Sequence, residues 1–522
     1  MSKEIILIPQ HRVVLVPLQQ CMGANFRAFK HKAVSYQCYD YMMIEWTVES
    51  CRELASIGLQ LESPIMVDYE WSGVYTPFDH QRVTSDFMVQ NLRSFCFNDI
   101  GCGKTLSALW AADFLLNRGE IHKVLVCSTL STLTRVWESE LFKHFLHRSC
   151  AVLHGSAAKR RKLLAQDKDF YIINHEGLKL LLPELQARKD IDLIICDEGA
   201  RFRNQSTDLW KALNVLGNQE SGRYIWWMTG SPMPRAPTDA WAQARIVNPG
   251  TVPKYFSRYR DQTMYKINQF KWVPRAGWED IAYSSLKPSI RFDRDDCLDL
   301  PECMYVDHEV SMTPDQVLAY NSLKEHFIAE LNDGLITAAN EGVKLLKLLQ
   351  IACGAVYNDK GETATLDCSH KLKELEQIID EVGTKLIIFV PFKHSILVIT
   401  NWLQNSKAKS KMTYGVVNGG VSKTKRDKIF DDFQNKDLDL IIAHPAAMAH
   451  GLTLTAASTI AWWGPLDNFE IYEQANGRIT RPGQERKQYI KHLICSPVEK
   501  AVYARLKKKE SMQGLLLDMI KK

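Results

Sequence analysis

The sequence lacks several features that would place it in common structural classes. Its 13 cysteines include no CxxC pair, which excludes the common zinc ribbons and indicates reduced, mostly buried thiols. No stretch reaches the roughly 18 uninterrupted apolar residues of a membrane span. With 65 basic and 60 acidic residues, a large unbroken basic face is excluded, so any nucleic-acid surface must be local. We expect a soluble, cytoplasmic protein of two or three domains.

Short apolar runs recur along the chain, with helical patterns between them. Continuous runs of this kind are typical of strands buried on both faces of a parallel sheet. The earlier runs are SFCF, KVLVCS, DLIICD and YIWWM, and the later runs are KLIIFV, DLIIA and STIAWW. The segment after the first run has an apolar helical stripe and stops at Gly119. The sequence therefore predicts two α/β lobes, residues 71–295 and 296–522.

Residues 1–70 have a different pattern. IILIP and VVLVPL are typical of strands, and Thr47 is placed to be the N-cap of a helix. Glu4 is the single acid of the first 32 residues, and their cations include Lys3, His11, Arg12, Arg27, Lys30 and Lys32. This excess predicts a small α+β domain that grips duplex DNA. A lid that only covers apolar surface is the alternative.

The strongest chemical signal is a glycine-bearing turn between the first predicted strand and the helix after it. The backbone N–H groups of such a turn can surround a triphosphate, while Lys104 reaches the β and γ phosphates and the Thr105 hydroxyl holds Mg²⁺. Asn98 occupies the position where the strict P-loop pattern has glycine. The predicted ATP-binding residues of the turn are Asp99, Ile100, Gly101, Cys102, Gly103, Lys104 and Thr105.

An acidic pair, Asp197 and Glu198, follows the apolar run DLIIC. Asp197 at the end of a buried strand can join the Mg²⁺ shell, and Glu198 can polarise the attacking water as a general base. Acidic pairs at strand ends are often only solvated. A P-loop followed about ninety residues later by a strand ending in Asp-Glu, however, predicts the Walker A and Walker B motifs of an NTPase.

A third signal lies near the C-terminus in QANGRITRPGQ, which contains Gln474, Arg478 and Arg481. Two guanidinium groups three residues apart are expected on one helix face, where they can meet the γ phosphate as charge develops. Because they lie in the second predicted lobe, they imply a composite site. One lobe would hold ATP and the other would supply the arginines.

Taken in their order along the chain, these segments resemble the motifs of superfamily 2 helicase-type motors of the Swi/Snf-like branch. The resemblance covers about residues 70–510. Gln81 in TPFDHQ resembles the glutamine that reads adenine in this family. The other matches are NDIGCGKT with motif I, LVCSTLSTLTRVW with motif Ia, DEGA with motif II, TGSP with motif III, IIFVPFKHS with motif IV, HPAAMAHGLTLTAAS with motif V and QANGRITRPGQ with motif VI. The resemblance implies two RecA-like lobes and a DNA-dependent ATPase that uses ATP and Mg²⁺.

The resemblance also implies roles for single residues. Motif VI places Gln474 at the nucleotide, and motif III assigns Thr229 and Ser231 to the coupling of hydrolysis to DNA contact. Motif V implies DNA contact by His450 and coupling by Gly451. Ala200 stands where the family usually has a histidine after its acidic pair. The coupling of hydrolysis to DNA contact is therefore expected to use other groups.

Residue types independently indicate contact with a phosphate backbone. Short hydroxyls and cations in loops beside strand ends suit phosphates better than base edges, so binding should be independent of sequence. The predicted DNA-binding residues are Ser128, Thr129, Lys159, Arg160, Lys423, Lys425, Arg426 and His450. Two tryptophan pairs, 226–227 and 462–463, lie inside apolar runs and are predicted to be core.

Three functions remain open from the sequence. The chain most resembles small phage and bacterial members and annealing-helicase relatives, which implies a translocase that remodels forks or four-way junctions in a bacterial or phage-infected cytoplasm. The second is the same motor acting on a protein–DNA complex such as RNA polymerase on DNA. The third is an NTP-binding regulatory module without translocation, which would not need Lys104, Glu198, Arg478 and Arg481 together.

Overall fold

The first strands of the chain form an antiparallel sheet of their own. In the computed structural model they are β1 (Ile6–Ile8), β2 (Val13–Pro17), β3 (His31–Tyr36) and β4 (Tyr39–Glu45), in the order β1-β2-β4-β3. One face packs Val14, Val16 and Ile44 against Leu54 of helix α1 (Val48–Ser56). The hydroxyl of Thr47 caps α1 by accepting the backbone N–H of Ser50, so the predicted strands and N-cap are confirmed.

The structure describes residues 4–21, 30–218, 222–233, 236–267, 272–297, 300–332, 338–357, 363–406, 412–448, 453–466 and 468–506. The chain divides into two compact units, one within residues 1–297 and the other within residues 298–514. The N-terminal sheet belongs to the first unit. Val48 of α1 and Ile65 of α2 (Pro64–Asp68) join the same buried cluster as Trp110 and Trp226, so this segment shares a core with the lobe that follows it.

Seven parallel strands form the main sheet of the first unit. They are β5 (Arg93–Cys96), β6 (Lys123–Ser128), β7 (Cys150–Leu153), β8 (Phe170–Asn174), β9 (Ile191–Asp197), β10 (Tyr224–Met228) and β13 (Ser289–Ile290), and a hairpin pairs β11 (Met264–Lys266) with β12 (Trp272–Pro274). The sheet order is β13-β5-β10-β9-β6-β8-β7. Its helices are α3 (Asp79–Gln90), α4 (Lys104–Asn117), α5 (Ser139–His144), α6 (Ala157–Leu164), α7 (Gly177–Leu180), α8 (Leu182–Ala187), α9 (Asp208–Gly217), α10 (Asp239–Val247), α11 (Phe256–Thr263), α12 (Trp278–Ser285) and α13 (Arg294–Cys297).

Successive side chains of these strands enter hydrophobic clusters on opposite faces of the sheet. Trp226 packs in the cluster that contains Cys96, whereas Trp227 packs in the cluster that contains Phe95. Both indoles are fully buried, which confirms that this pair is core. Burial on both faces explains why the strands have continuous apolar runs rather than alternation.

Six parallel strands form the main sheet of the second unit, in the order β14-β21-β20-β17-β19-β18. They are β14 (Cys303–Glu309), β17 (Lys385–Phe389), β18 (Tyr414–Val417), β19 (Leu440–Ala443), β20 (Ala457–Trp462) and β21 (Gln488–Ile494), and a separate hairpin pairs β15 (Ala355–Tyr357) with β16 (Thr363–Thr365). The helices are α14 (Pro314–Asn332), α15 (Ala338–Ala352), α16 (Ser369–Val382), α17 (Lys393–Asn405), α18 (Lys423–Asn435), α19 (Pro445–Met448) and α20 (Phe469–Asn476).

The second tryptophan pair is also core. Trp462 and Trp463 are fully buried and belong to clusters on opposite faces of this sheet. Two parallel α/β lobes with a small N-terminal sheet therefore confirm the predicted fold class. Within the described part of the chain, every helix is too short or too polar to cross a lipid bilayer.

Candidate active site

The carboxyl ends of the parallel strands bring three predicted motifs of the first lobe to one edge of its sheet. Met228 of β10 is paired with Cys96 of β5 on one side and with Asp197 of β9 on the other. The P-loop turn begins at Asn98, just beyond Cys96, and the segment 229–232 follows Met228. Segments distant in sequence therefore meet here, at the edge where parallel sheets usually bind ligands.

The P-loop turn folds back over the N-terminus of α4. Gly101 and Gly103 have φ angles of +97° and +70°, in the left-handed region that favours glycine. Lys104 is the first residue of α4, and its Nζ donates to the carbonyl oxygens of Asn98 at 2.7 Å and Asp99 at 3.0 Å. The ammonium group is thus held within the turn, and Thr105 follows it on the first turn of the helix.

The Asn98 side chain fastens the turn to two neighbouring segments. Its Nδ2 donates to Thr84 Oγ1 at 2.8 Å, and its Oδ1 accepts the backbone N–H of Phe292 at 3.0 Å. Asn98 is fully buried. The departure from the strict P-loop pattern therefore has a structural explanation, because this asparagine joins β5 to α3 and to the chain after β13.

The middle of the turn contacts the chain after β13 and the motif III segment. Asp99 pairs with Arg291 at 3.2 Å and accepts the backbone N–H of Arg294 at 3.3 Å. A Cβ atom on Gly230 would lie 3.6 Å from Ile100 Cγ1, so motif III packs directly on the P-loop. Burial raises the pKa of Cys102 to about 12, which keeps this side chain a neutral thiol.

Gln81 lies against the P-loop although it is more than twenty residues away in sequence. A Cβ atom on Gly103 would lie 1.8 Å from Gln81 Nε2. The other amide atom, Oε1, accepts the backbone N–H of Phe78 at 3.0 Å, which fixes the orientation of the amide. Beside it, His80 Nε2 donates to the carbonyl oxygen of Cys102 at 3.1 Å. The structure thus brings the predicted adenine-reading residue to the turn.

Asp197 is held by three hydrogen bonds. Its Oδ2 accepts from Ser128 Oγ at 2.7 Å and from Trp137 Nε1 at 3.0 Å, and its Oδ1 accepts the backbone N–H of Glu198 at 3.1 Å. Trp137 lies in a π-helical turn, Leu133–Glu138, a rare geometry that is common at functional sites. Sequence reasoning missed Trp137, because the register of a π-turn is not visible in the apolar pattern.

The backbone at the acidic pair is strained and is supported by a buried histidine. Glu198 has a φ angle of +53°, which is unfavourable for a residue other than glycine. His175 Nε2 donates to the carbonyl oxygen of Asp197 at 2.9 Å, and burial lowers the pKa of His175 to about 4. His175 was also missed, although its place just after the apolar run FYIIN offered a signal.

A buried amide links the acidic motif to motif III. A Cβ atom on Gly199 would lie 2.2 Å from Trp227 Nε1, so this indole packs directly on the acidic loop. The indole N–H donates to Gln243 Oε1 at 2.8 Å, and Gln243 Nε2 donates to the carbonyl oxygens of Asp239, at 3.0 Å, and of Pro232. Gln243 is fully buried on α10 and was not predicted from the sequence.

Two of the predicted DNA-binding residues in the first lobe are buried and hydrogen-bonded within the protein. The buried guanidinium of Arg160 donates to Gly155 O at 2.9 Å and to Leu153 O and Asn174 Oδ1 at 2.8 Å, so it fastens α6 to the sheet. Ser128 is fully buried and its hydroxyl donates to Asp197.

The remaining predicted contacts of this lobe lie nearer the surface. Lys159 is exposed on α6, and Thr129 is half-buried. The Thr129 hydroxyl lies 3.0 Å from that of Thr132. In motif III, Thr229 and Ser231 are buried, and the backbone N–H of Ser231 donates to Thr229 Oγ1 at 3.3 Å.

The prediction that Arg478 and Arg481 share one helix face is wrong. Helix α20 ends at Asn476, and both arginines lie in the turns after it. The physical reason is a tight turn at Gly477, beyond which Arg478 Nε donates to Gln474 O at 2.7 Å and Arg481 Nε donates to Gly477 O at 3.1 Å. Arg478 and Gln474 are buried, whereas Arg481 is half-buried.

The carboxyl ends of β17, β18 and β19 lie together at one edge of the sheet in the second lobe. A cavity of about 480 Å³ opens there, lined by Pro391, Phe392, Lys393, Asn418, Gly419, His444, Ala446 and Ala447. On α18, which follows β18, Lys423 and Lys425 are exposed and Arg426 is half-buried. His450 and Gly451 lie outside the described residues.

Two side chains at the carboxyl edge of the first-lobe sheet have the chemistry that Mg²⁺ prefers. The Thr105 hydroxyl and the Asp197 carboxylate are hard oxygen donors, and Asp197 Oδ1 accepts the backbone N–H of Glu198. They fit an ion that keeps most of its ligands from water and phosphate. In the described residues, no cluster of three or more His, Cys, Asp or Glu side chains is arranged to hold a metal.

Models of two protein families together match most of the chain. The model of the SNF2-related domain matches residues 39–357, more than half of the sequence. The model of the helicase conserved C-terminal domain matches residues 370–483. The two matches cover the P-loop, the acidic pair and the segment with Arg478 and Arg481.

Individual relatives are distant. The putative protein p41 of Acyrthosiphon pisum secondary endosymbiont phage 1 is 25% identical, over 86% of this chain and 99% of the relative. The DNA repair and recombination protein RAD54-like of Drosophila pseudoobscura pseudoobscura is 24% identical, over 98% and 70%. The putative ATP-dependent helicase/translocase YwqA of Bacillus subtilis (strain 168) is 22% identical, over 81% of this chain and 46% of YwqA.

One solved structure is similar over much of the chain. It is the Sulfolobus solfataricus SWI2/SNF2 ATPase core in complex with dsDNA, with 24% identity, a TM-score of 0.41 and coverage of 87% of this chain and 95% of that chain.

Proposed function

Because the chain belongs to the family of the SNF2-related domain and is therefore a DNA-acting ATPase, we propose that it translocates along duplex DNA and remodels branched DNA. The observation that carries the proposal is the alignment of Cys96, Met228 and Asp197, which brings a P-loop, an acidic pair and motif III to one sheet edge. A regulatory module would not need that full set.

The proposed chemistry assigns one task to each group. Lys104 neutralises the β and γ phosphates, and Glu198 orients and deprotonates the attacking water. Mg²⁺, held by Thr105 and Asp197, would neutralise charge on the phosphates when it is bound. Arg478 and Arg481 stabilise the charge that develops on the γ phosphate, and Gln81 and Gln474 contact the nucleotide.

We also propose that hydrolysis is coupled to DNA contact through motif III. Thr229 and Ser231 follow β10 and pack beside the P-loop. With Ala200 at the family's histidine position, Gln243 offers the link, because its amide connects the indole on the acidic loop to Pro232. A change in the acidic loop would then move motif III through one rigid, buried side chain.

The proposed preference for branched DNA rests on the relatives of this chain. The RAD54-like relatives are DNA repair and recombination proteins by name, and a phage protein is similar over 99% of its own length. These relatives support a role in recombination or repair, in the cytoplasm of a bacterium or of a phage-infected cell. Clearance of a protein such as RNA polymerase from DNA is the alternative substrate.

A comparison of DNA cofactors tests the proposal. ATP hydrolysis is measured with single-stranded DNA, linear duplex and a four-way junction at equal nucleotide concentration. We expect stimulation by duplex, and a lower half-saturating concentration for the junction. Equal rates with and without every DNA would contradict the motor, whereas equal half-saturation by duplex and junction would contradict only the branched-DNA preference.

A further inference from the structure

The cations of the N-terminal sheet meet in one groove. A cavity of about 420 Å³ opens beside β2, β3 and β4, and we call it the cationic groove. Its lining residues are His11, Arg12, Val13, Lys30, His31, Lys32, Met43 and Glu45. Five of these eight residues are Lys, Arg or His, and Glu45 is the single acid of the set. In a chain with 65 basic and 60 acidic residues, this is a pronounced local excess.

Backbone hydrogen bonds hold the cations in fixed positions. The N–H of Glu45 donates to Lys30 O at 2.8 Å, and the N–H of Trp46 donates to Arg12 O at 2.8 Å. Lys32 is paired with Met43 across β3 and β4. The groove is therefore built on three neighbouring strands of the sheet.

The charged ends of these side chains remain accessible. The side chains of Lys30 and Arg12 are 90% and 66% exposed, and Lys32 is exposed at the edge strand of the sheet. Lys30 pairs with Glu45 at 3.9 Å and Arg12 pairs with Asp68 at 3.5 Å. Exposed pairs of this kind contribute little stability and exchange readily for another anion.

We propose that the cationic groove binds the phosphate backbone of duplex DNA as a second contact, separate from the motor motifs. The inference rests on the proposed function, because a translocase must hold duplex DNA. Cations spread over adjacent strands suit regularly spaced phosphates. The contact adds affinity and salt dependence, and it is independent of DNA sequence.

The salt dependence of binding tests the proposal directly. The affinity of the full chain for a duplex is measured from low to moderate salt, for the wild type and for Lys30→Ala/Lys32→Ala. Each phosphate contact makes the negative slope of log affinity against log salt concentration steeper by about 0.9. The slope of the double variant should therefore be shallower by about 1.8. ATP hydrolysis at saturating duplex should be unchanged, because neither lysine belongs to the motor motifs.

Lys179→Ala/Lys211→Ala is the matched control. Both lysines lie in the same unit, and each pairs with a nearby acid, Glu176 and Asp208 respectively. An equal change of slope in the control and in the groove variant would overturn the proposal. So would equally tight binding of polyglutamate and duplex at the groove, since that result indicates an acidic protein partner. Failure of the motor would instead appear as absent DNA stimulation in the wild type.

Discussion

Asp197 and its partners show how single side chains prepare the ATP site. Two side-chain donors and one backbone N–H hold the carboxylate in place, and one of the donors is the indole of Trp137. Groups that orient a metal ligand in this way usually change metal affinity or activity by ten- to a hundred-fold when they are lost. The position of Asp197 therefore depends on Ser128 and Trp137, which both lie in the motif Ia segment.

Trp137→Phe should raise the Mg²⁺ concentration needed for half-maximal ATP hydrolysis by about tenfold, because Asp197 loses one of its fixed donors. The measurement is the ATPase rate against Mg²⁺ at saturating ATP and DNA. Trp226→Phe is the control, since it removes a buried indole N–H that donates to Asn91 O, away from the carboxylate. An equal shift in both variants would contradict the positioning role of Trp137.

Gln243→Leu should uncouple hydrolysis from DNA. The substitution leaves the Trp227 N–H and the Pro232 carbonyl without this partner, which should cost about 1–3 kcal/mol of unfolding free energy for each buried group. We expect DNA stimulation of the ATPase to fall at least several-fold while hydrolysis without DNA is retained. Gln243→Glu still accepts the indole N–H but cannot donate to Pro232 in its ionised form, and it should also lose stimulation. Full stimulation in both folded variants would contradict the link.

His175 is expected to make the stability of the folded protein depend on pH in the acid range. Burial lowers its pKa from 6.5 to about 4, so the unfolded chain takes up this proton at a higher pH than the folded protein. Its contribution to stability is therefore complete above pH 6.5 and is lost as the pH falls towards 4. The difference in unfolding free energy between the wild type and His175→Gln should shrink over this window. A constant difference would show that His175 does not titrate as described.

At the scale of elements, strands were predicted better than the turns that follow them. Apolar runs identified β5, β6, β9, β10, β17, β19 and β20, because strands buried on both faces have no polar alternation to obscure them. The end of α20 was missed, since the sequence after Gly477 still has helical spacing. The burial of Arg160 could not be predicted, because it depends on carbonyl groups of β7 and β8 that only the folded sheet brings together.

The N-terminal segment illustrates why domain limits are hard to place from sequence. A boundary near residue 70 follows the motifs, yet Val48 and Ile65 pack in the core of the first lobe. Arg52 of α1 also donates to Val89 O, at the end of α3, with distances of 2.5 and 3.2 Å. The helices α1 and α2 are thus part of the lobe, whereas the four strands before them have a small core of their own with α1.

Two truncations separate these parts. A chain that begins at Asp68 should be poorly soluble and unfold at a lower temperature, because it removes Val48, Ile65 and the Arg52 contact from the lobe. A chain that begins at Trp46 keeps all three and should retain most ATPase activity, while it loses the cationic groove. The measurements are thermal unfolding and ATPase rate. Equal stability of both truncated chains would contradict the shared core.

At the scale of the whole molecule, the charge distribution fits a motor that holds DNA locally. The net charge of +5 is small for 522 residues, and cations are concentrated at the N-terminal sheet. Family membership establishes a DNA-acting ATPase, and the arrangement of the first lobe explains how its ATP site can form. In the first lobe, the P-loop, the acidic pair and motif III meet because parallel strands carry the loops that follow them at one edge of the sheet.

Displacement of the third strand from a DNA triplex by the purified protein tests the central claim, ATP-driven movement along duplex, most directly. The wild type should displace the third strand when ATP and Mg²⁺ are present and should not do so without ATP. Glu198→Gln should bind ATP and duplex yet leave the triplex intact, because the attacking water has lost its base. If the wild type hydrolyses ATP in response to duplex but leaves the third strand bound, the protein is an ATPase that does not translocate.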